Sequence, residues 1–340
     1  MKFDIYFDDV VFKLQKFGGI SRYWSSVTDI GTSLTIARGI RSFFGWSIFR
    51  REKIVRGLKF VPLLYVGADI YHSSYQRPLL FKGSTKVVLT IHDLMYEFFG
   101  KGIRKYLHYG YTGWAISQAD VIICVSESTR QDMFAFYPSS RSKRVEVIHN
   151  GTEEDLLSHE VYLPKRDYIL YVGKRVGCKN FQRQIKVIAQ YCLDKDLELL
   201  LVGGGELTES EIKLLRELSL YRRTKHCLGL SDEEVRYLMK NAFALLFMST
   251  YEGFGIPVIE SFRMGCPVLC LNNSSIPEIV GSEYMGMFDK VDSELVRQFL
   301  DKLTQKAYRL ELENYMFTRS RDFSWQKSKK SHLEIYRQLL

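Results

Sequence analysis

The 340-residue chain contains no run of 18 consecutive apolar residues, so no spanning helix is expected. Its six cysteines include no C-x-x-C pair, and Cys124 and Cys270 stand inside apolar runs. They read as reduced core thiols of a cytosolic protein, not as disulfides or a zinc site. No G-x-x-x-x-G-K-[ST] phosphate loop and no G-x-S-x-G nucleophile elbow occurs, which removes two large enzyme classes. Gly203-Gly204-Gly205-Glu206 follows an apolar run, but Thr208 stands where a dinucleotide fingerprint needs glycine, so NAD is excluded. One acid-x-acid triplet, Asp194-Lys195-Asp196, lies in a helix-to-strand connection and reads as a solvated loop; no metal and no cofactor is expected. Pro, Gly and Ser form no low-complexity linker, and no repeat of solenoid period is found. Met1-Lys2-Phe3-Asp4 is acidic within four residues and enters a strand at once, unlike a signal peptide.

What remains is a globular composition, 46% hydrophobic and 26% charged, on a chain long enough for two α/β cores. The charge is unevenly spread. Residues 1–110 hold 17 basic and 8 acidic residues, whereas the rest holds 31 of each. The whole net charge of +9 therefore sits in the first third, which points to an anionic surface or polymer as partner. Residues 41–60 concentrate it, with six basic residues and five aromatics against one acid. Such a composition suits an interfacial segment, with rings at headgroup depth and Arg50, Arg51, Lys53 and Arg56 on lipid phosphates. The alternative is a solvated basic face with its aromatics turned into the core. No nucleic-acid-binding module is recognisable, so no nucleic-acid partner is expected.

Strand patterns at 2–8, 69–72, 86–91, 121–125 and 145–149, and again at 168–172, 197–202, 225–228, 243–248 and 267–271, alternate with helical patterns. This predicts an α/β protein with parallel sheets in two halves, 1–160 and 161–323, and a closing helix at 324–340. In such sheets ligands gather beyond the carboxyl ends of the strands. Four loops stand there. Gly18-Gly19 follows the first strand and can bring backbone N–H groups near a phosphate. His92-Asp93 follows the strand at 86–91, and His72, at another strand end, is a weaker candidate. Lys174, Arg175 and Lys179 place three cations within six residues, suited to a diphosphate. The fourth loop, Glu252-Gly253-Phe254-Gly255-Ile256, leads into a helix with Pro257 at its first position and Gly265 past its end. Its glycines allow close approach to the backbone, and Glu260 lies one turn further in. Glu252 and Glu260 suit a nucleotide carrying a polar cargo, or are ordinary charges near a tight turn.

The run from Glu252 to Glu260 resembles the paired carboxylates of retaining glycosyltransferases of family 4. Val125-Ser126-Glu127-Ser128, Tyr171-Val172-Gly173-Lys174-Arg175 with Lys179-Asn180, and Leu201-Val202-Gly203 occur in the family's order. The resemblance covers nearly the whole chain. It implies the GT-B fold, two Rossmann-like domains with parallel sheets facing across a cleft, with the last helix crossing back to the first domain. It implies a nucleotide-diphosphate sugar as donor. Arg175 and Lys179 would meet the diphosphate, Glu252 with the 253–256 backbone the sugar hydroxyls, Glu260 the ribose, and His92 the transferred sugar. Gly203 and Leu230 would line the nucleotide, and Gly18 and Gly19 the donor phosphates or the acceptor. Lys174 is an extra cation without an assigned role.

The function expected is metal-independent sugar transfer with retention to a lipid-linked saccharide, at the inner face of the cytoplasmic membrane, in surface-polysaccharide synthesis. An inactive GT-B scaffold beside another glycosyltransferase, and a phosphorylase, are the alternatives. Donor sugar, base, acceptor hydroxyl and oligomeric state are not legible.

Overall fold

The computed structural model describes residues 4–8, 11–12, 18–28, 61–153 and 164–340. The basic and aromatic stretch at 41–60, with Arg50, Arg51, Lys53 and Arg56, lies outside them. The chain divides into two compact units, Met1–Gly151 with Trp325–Leu340, and Thr152–Ser324. Thr152 and Glu153, expected in the first half, group with the second. The Thr152 N–H donates to Phe323 O, and Glu153 pairs with Arg236 at 3.1 Å.

The first unit has five described strands, β1 (Ile5–Phe7), β2 (Ile70–Ser73), β3 (Lys86–Ile91), β4 (Val121–Cys124) and β5 (Arg144–Val147), all parallel and in sequence order. Both faces are covered, so alternate residues of one strand enter different cores. Val88, Val121 and Ile123 join Tyr23, Trp24 and Val27 of α1 (Gly19–Thr28) on one face. Leu89, Ile91, Ile122 and Cys124 join Ala115 and Ile116 on the other. These last belong to α3 (Ile103–Gln118), which follows the short α2 (Met95–Phe99) and precedes α4 (Glu127–Phe136). Ser126 caps α4 by accepting from the Thr129 N–H, a local bond of about 1 kcal/mol.

The last helix of the chain, α12 (Trp325–Leu339), completes the first core by burying Ile335 and Tyr336. A buried chain of polar side chains ties it in. Tyr336 OH lies 2.7 Å from His72 Nδ1, and His72 Nε2 lies 2.8 Å from Thr90 Oγ1. Thr90 Oγ1 is 2.8 Å from Tyr23 OH, which is 2.7 Å from His332 Nε2. His332 Nδ1 lies 2.7 Å from the Ser328 carbonyl, which can only accept. That one contact orders the whole chain. Nδ1 of His332 carries the proton, so Nε2 accepts from Tyr23. Tyr23 in turn accepts from Thr90, Thr90 from His72 Nε2, and His72 Nδ1 from Tyr336. Both ends of the relay lie on α12, and each imidazole serves once as donor and once as acceptor only while neutral.

Burial favours that neutral form. It pushes His332 down to about 4 and His72 well below its ordinary value. A histidine with a depressed native pKa binds its proton in the unfolded chain first, so its contribution to stability is present above pH 6.5 and is lost as pH falls toward 4. Urea midpoints measured at pH 7.5 and 5 should therefore fall more steeply for the native chain than for His332→Gln. Equal slopes would show that the relay does not carry the acid sensitivity.

Candidate functional site

The second unit holds β6 (Tyr168–Val172), β7 (Glu198–Val202), β8 (Thr224–Cys227), β9 (Ala244–Phe247), β10 (Val268–Leu271) and β11 (Met287–Phe288). All pairs are parallel and the order is β11-β10-β9-β6-β7-β8. The chain runs outward from β6 to β8, then returns to the other side of β6 for β9. This is the Rossmann order, and the loops after β6 and β9 diverge at its switch point, where a crevice for ligands opens. The loop after β6 carries Lys174, Arg175 and Lys179, and the loop after β9 carries Glu252 to Gly255.

Arg175 does not stand open in that crevice. Its Nε donates to Glu211 Oε1 at 2.9 Å, its Nη1 to the Gly203 carbonyl at 2.6 Å, and its Nη2 to the carbonyls of Gly205 and Glu206 at 2.8 and 3.0 Å. Gly203, Gly204 and Gly205 all have φ +78, which winds the turn left-handed and aims these carbonyls at one guanidinium. Glu211 lies in α6 (Glu209–Glu217), and its other oxygen closes a capping box with Thr208. Burial pushes the Glu211 carboxyl up, but hydrogen bonds from Thr208 and Arg175 outweigh it and hold the group below its usual range. Thr208, which breaks the dinucleotide pattern, is thus the cap of a helix. Arg175, expected to meet the diphosphate, here places its donors on Glu211 and on the carbonyls of the 203–206 turn, and it is 7% exposed. The exposed cation of this loop is Lys174, which sequence reasoning left without a role.

Lys179 and Glu252 do meet, with Nζ 2.6 Å from Oε1. Lys179 Nζ also lies 5.4 Å from the centre of the Phe247 ring. The two loops are fastened by the backbone, since the Thr250 N–H donates to the Cys178 carbonyl at 2.7 Å. The residues after β10 hold the other side. Ser274 Oγ accepts from the Glu252 N–H at 3.0 Å, and Ser275 Oγ donates to the Phe254 carbonyl at 2.6 Å. Neither serine was anticipated, because nothing in their spacing links them to residue 252. Gly255, at φ +105, takes the cap position of α8 (Ile256–Arg263), so the helix begins at Ile256 and Pro257 is its second residue rather than its first. The opening N–H groups of a helix have no partner within it, and the dipole adds positive potential there. Glu260, 4% exposed, lies within the same helix. Leu230 lies past the end of the edge strand β8, immediately before Ser231, the cap of α7 (Asp232–Asn241).

In the first unit, Gly18 has φ +139 and its carbonyl accepts from the Arg22 N–H and from Ser21 Oγ, opening α1; Gly19 is the first residue of that helix. His92 follows β3 and stands edge-on to the Tyr23 ring, with centroids 4.7 Å apart. Its Nε2 is shielded from solvent and has no hydrogen-bond partner among the described residues. Burial, then the neighbouring His332, pushes its pKa down to about 3, so the ring is neutral at physiological pH. His72, the weaker candidate, is consumed by the relay to α12.

Two family descriptions match the chain: Glycosyltransferase Family 4 over residues 27–156, and Glycosyl transferases group 1 over residues 157–319. The chain is 29% identical over 202 residues to the N-acetylgalactosamine-N,N'-diacetylbacillosaminyl-diphospho-undecaprenol 4-alpha-N-acetylgalactosaminyltransferase of Campylobacter jejuni. That match takes in 56% of this chain and 54% of the relative, so the chain spans about half the length of that protein. It is 24% identical over 270 residues to O-antigen chain mannosyltransferase B of Escherichia coli, covering 75% of this chain and 71% of that one. The structure superposes on sucrose-phosphate synthase from Thermosynechococcus elongatus with a TM-score of 0.74 at 18% identity, covering 99% of this chain and 98% of that one.

A Cβ at Gly204 would lie 2.6 Å from Arg175 Nη1 and 2.8 Å from the Gly173 carbonyl, whereas one at Gly205 meets nothing within 4 Å at the same φ. Gly204→Ala is therefore expected to lower unfolding free energy by about 1–3 kcal/mol more than Gly205→Ala does, as read from urea midpoints. Equal losses would mean that the guanidinium does not hold the turn.

Proposed function

We propose that this chain, a glycosyltransferase of the GT-B fold, moves a sugar from a nucleotide-diphosphate donor to a hydroxyl of a lipid-linked saccharide. It would do so with retention, without a metal, at the inner face of the cytoplasmic membrane during surface-polysaccharide synthesis. The observation that carries the reading is the Lys179–Glu252 contact at the switch point, beside the start of α8. A mobile ammonium suits a diphosphate as a point charge, and a carboxylate suits the hydroxyls of the sugar beyond it.

In the reaction, the bond between the anomeric carbon and the phosphate oxygen breaks, and its electron pair stays on the phosphate. The acceptor oxygen bonds to the same face of that carbon, and its proton passes to the departing phosphate oxygen. Positive charge grows on the sugar and negative charge on the phosphate. Lys179, Lys174 and the amino end of α8 oppose the second, which is where fixed charge lowers a barrier. Arg175 acts one step back, by holding the glycine turn beside β6. Glu252 holds sugar hydroxyls and Glu260 the ribose. His92 offers a neutral Nε2 to a substrate hydroxyl from the carboxyl end of β3. The Campylobacter relative is named for a diphospho-undecaprenol acceptor and the Escherichia coli relative for an O-antigen chain, which supports an acceptor of this kind here. The excess charge of residues 1–110 supports an anionic membrane, with Arg50, Arg51, Lys53 and Arg56 among its contacts.

Lys179→Ala should lower nucleotide release from donor sugars by about 10²–10³-fold while the melting temperature without ligand stays near that of the native chain. A fully active variant would remove the phosphate role. Thermal-shift screening with UDP, GDP, TDP and ADP should single out one base by stabilisation of the native chain, and silence with every nucleotide would favour the scaffold reading.

A further inference from the structure

The first two turns of α3, with the end of α2, present an outward surface that the fold leaves uncovered. Phe99 is 50% exposed, Ile103 71%, Tyr106 72% and Leu107 61%. The last three are spaced i, i+3 and i+4, so they share one helical face, while His108, Thr112, Ala115 and Ile116 are buried. Lys101 and Arg104 are exposed beside them, and Lys105 is half-buried. From residue 95 to residue 118 there is a single acid, Glu97, and it is turned inward at 2% exposure. There it accepts from Tyr137 OH at 2.7 Å and meets His108 Nδ1 at 3.1 Å. Within residues 95–118 the surface thus displays apolar side chains and cations and no carboxylate.

The start of α3 repeats the pattern. Its cap is Gly102, which supplies no side-chain bond, and its first turn has no acid. Arg104 and Lys105 stand at the positive end of the helix, the opposite of what the dipole favours. Within the protein alone, the exposed side chains and the uncompensated charge both cost stability. A layer of phosphates over an acyl boundary relieves both together. A second copy of the chain does not, because a two-fold contact would set cations against cations.

We infer that this face of α2 and α3 is a docking surface for an anionic lipid bilayer, with Ile103, Tyr106 and Leu107 at the acyl boundary and Lys101, Arg104 and Lys105 on lipid phosphates. This rests on the membrane-linked acceptor proposed above and adds to it residues other than 50–56. Depth of insertion and charge attraction together set the strength of such an interfacial helix.

The test is co-sedimentation of the full chain with phosphatidylglycerol–phosphatidylcholine vesicles and with pure phosphatidylcholine vesicles. The native chain should bind the first far more than the second. A triple variant, Ile103→Ser with Tyr106→Ser and Leu107→Ser, should weaken binding tenfold or more. Arg104→Ser with Lys105→Ser should weaken it about fivefold per cation removed, with the difference shrinking as salt rises. Both variants should melt at or above the native temperature and keep the native shift with the preferred nucleotide, which separates this surface from the donor site. Native vesicle binding by the triple variant, alongside loss in a chain with Arg50, Arg51, Lys53 and Arg56 changed to Ser, would overturn the surface and leave the membrane reading standing. No binding of the native chain to either vesicle would overturn both. A native dimer that the triple variant converts to monomer would assign the face to a second copy instead.

Discussion

The backbone bond from the Thr250 N–H to the Cys178 carbonyl, backed by Thr250 Oγ1 on the same carbonyl and by Asn180 Nδ2 on the Met248 carbonyl, joins the loops after β6 and β9. The strands they leave are paired at Ile169–Ala244 and Leu170–Leu245, but those pairs lie short of the loops themselves. With that bond made, Lys179 reaches Glu252, and the Ser274 and Ser275 hydroxyls fix the far side of the Glu252 loop. The helix that follows begins at Ile256, just past the Glu252 loop. A cation, a carboxylate and a helix start, each common alone, become one site through that fastening.

The neighbouring glycine turn shows how a buried charge can serve the fold. Three successive left-handed residues leave carbonyls pointing the same way, and such an array needs a donor with several N–H groups in a plane. Arg175 is that donor, and Glu211 balances its charge. A lysine could not span the three carbonyls. The loop after β6 therefore divides its cations by chemistry, with the guanidinium inside as a brace and the two ammonium groups at its ends.

The first unit solves a different problem, the docking of a helix that comes last in the chain. Its answer is a relay whose polarity follows from one backbone carbonyl and whose two imidazoles are neutral because they are buried. Tyr23, a member of the relay, also lies edge-on to His92, so the last helix braces the residue that stands at the carboxyl end of β3. The same unit turns its one acid between 95 and 118 inward and leaves cations outside, an arrangement that makes sense at a charged interface.

Features set by neighbours in the chain were legible from residues alone. Most of the parallel strands show as apolar runs, and the caps Ser126 and Ser231 act within three residues of themselves. That the chain is a glycosyltransferase was legible as well, since the motifs that resemble such enzymes are short and keep their order. What only the folded chain decided are the pairings between distant residues. Arg175 and Glu211 are separated by 36 positions, Lys179 and Glu252 by 73, and Tyr23 and His332 by 309. Sequence spacing states which groups reach the same edge of a sheet, because strands are parallel and loops follow them. It does not state which of several cations turns inward, because that depends on where carbonyls and carboxylates from other loops come to rest.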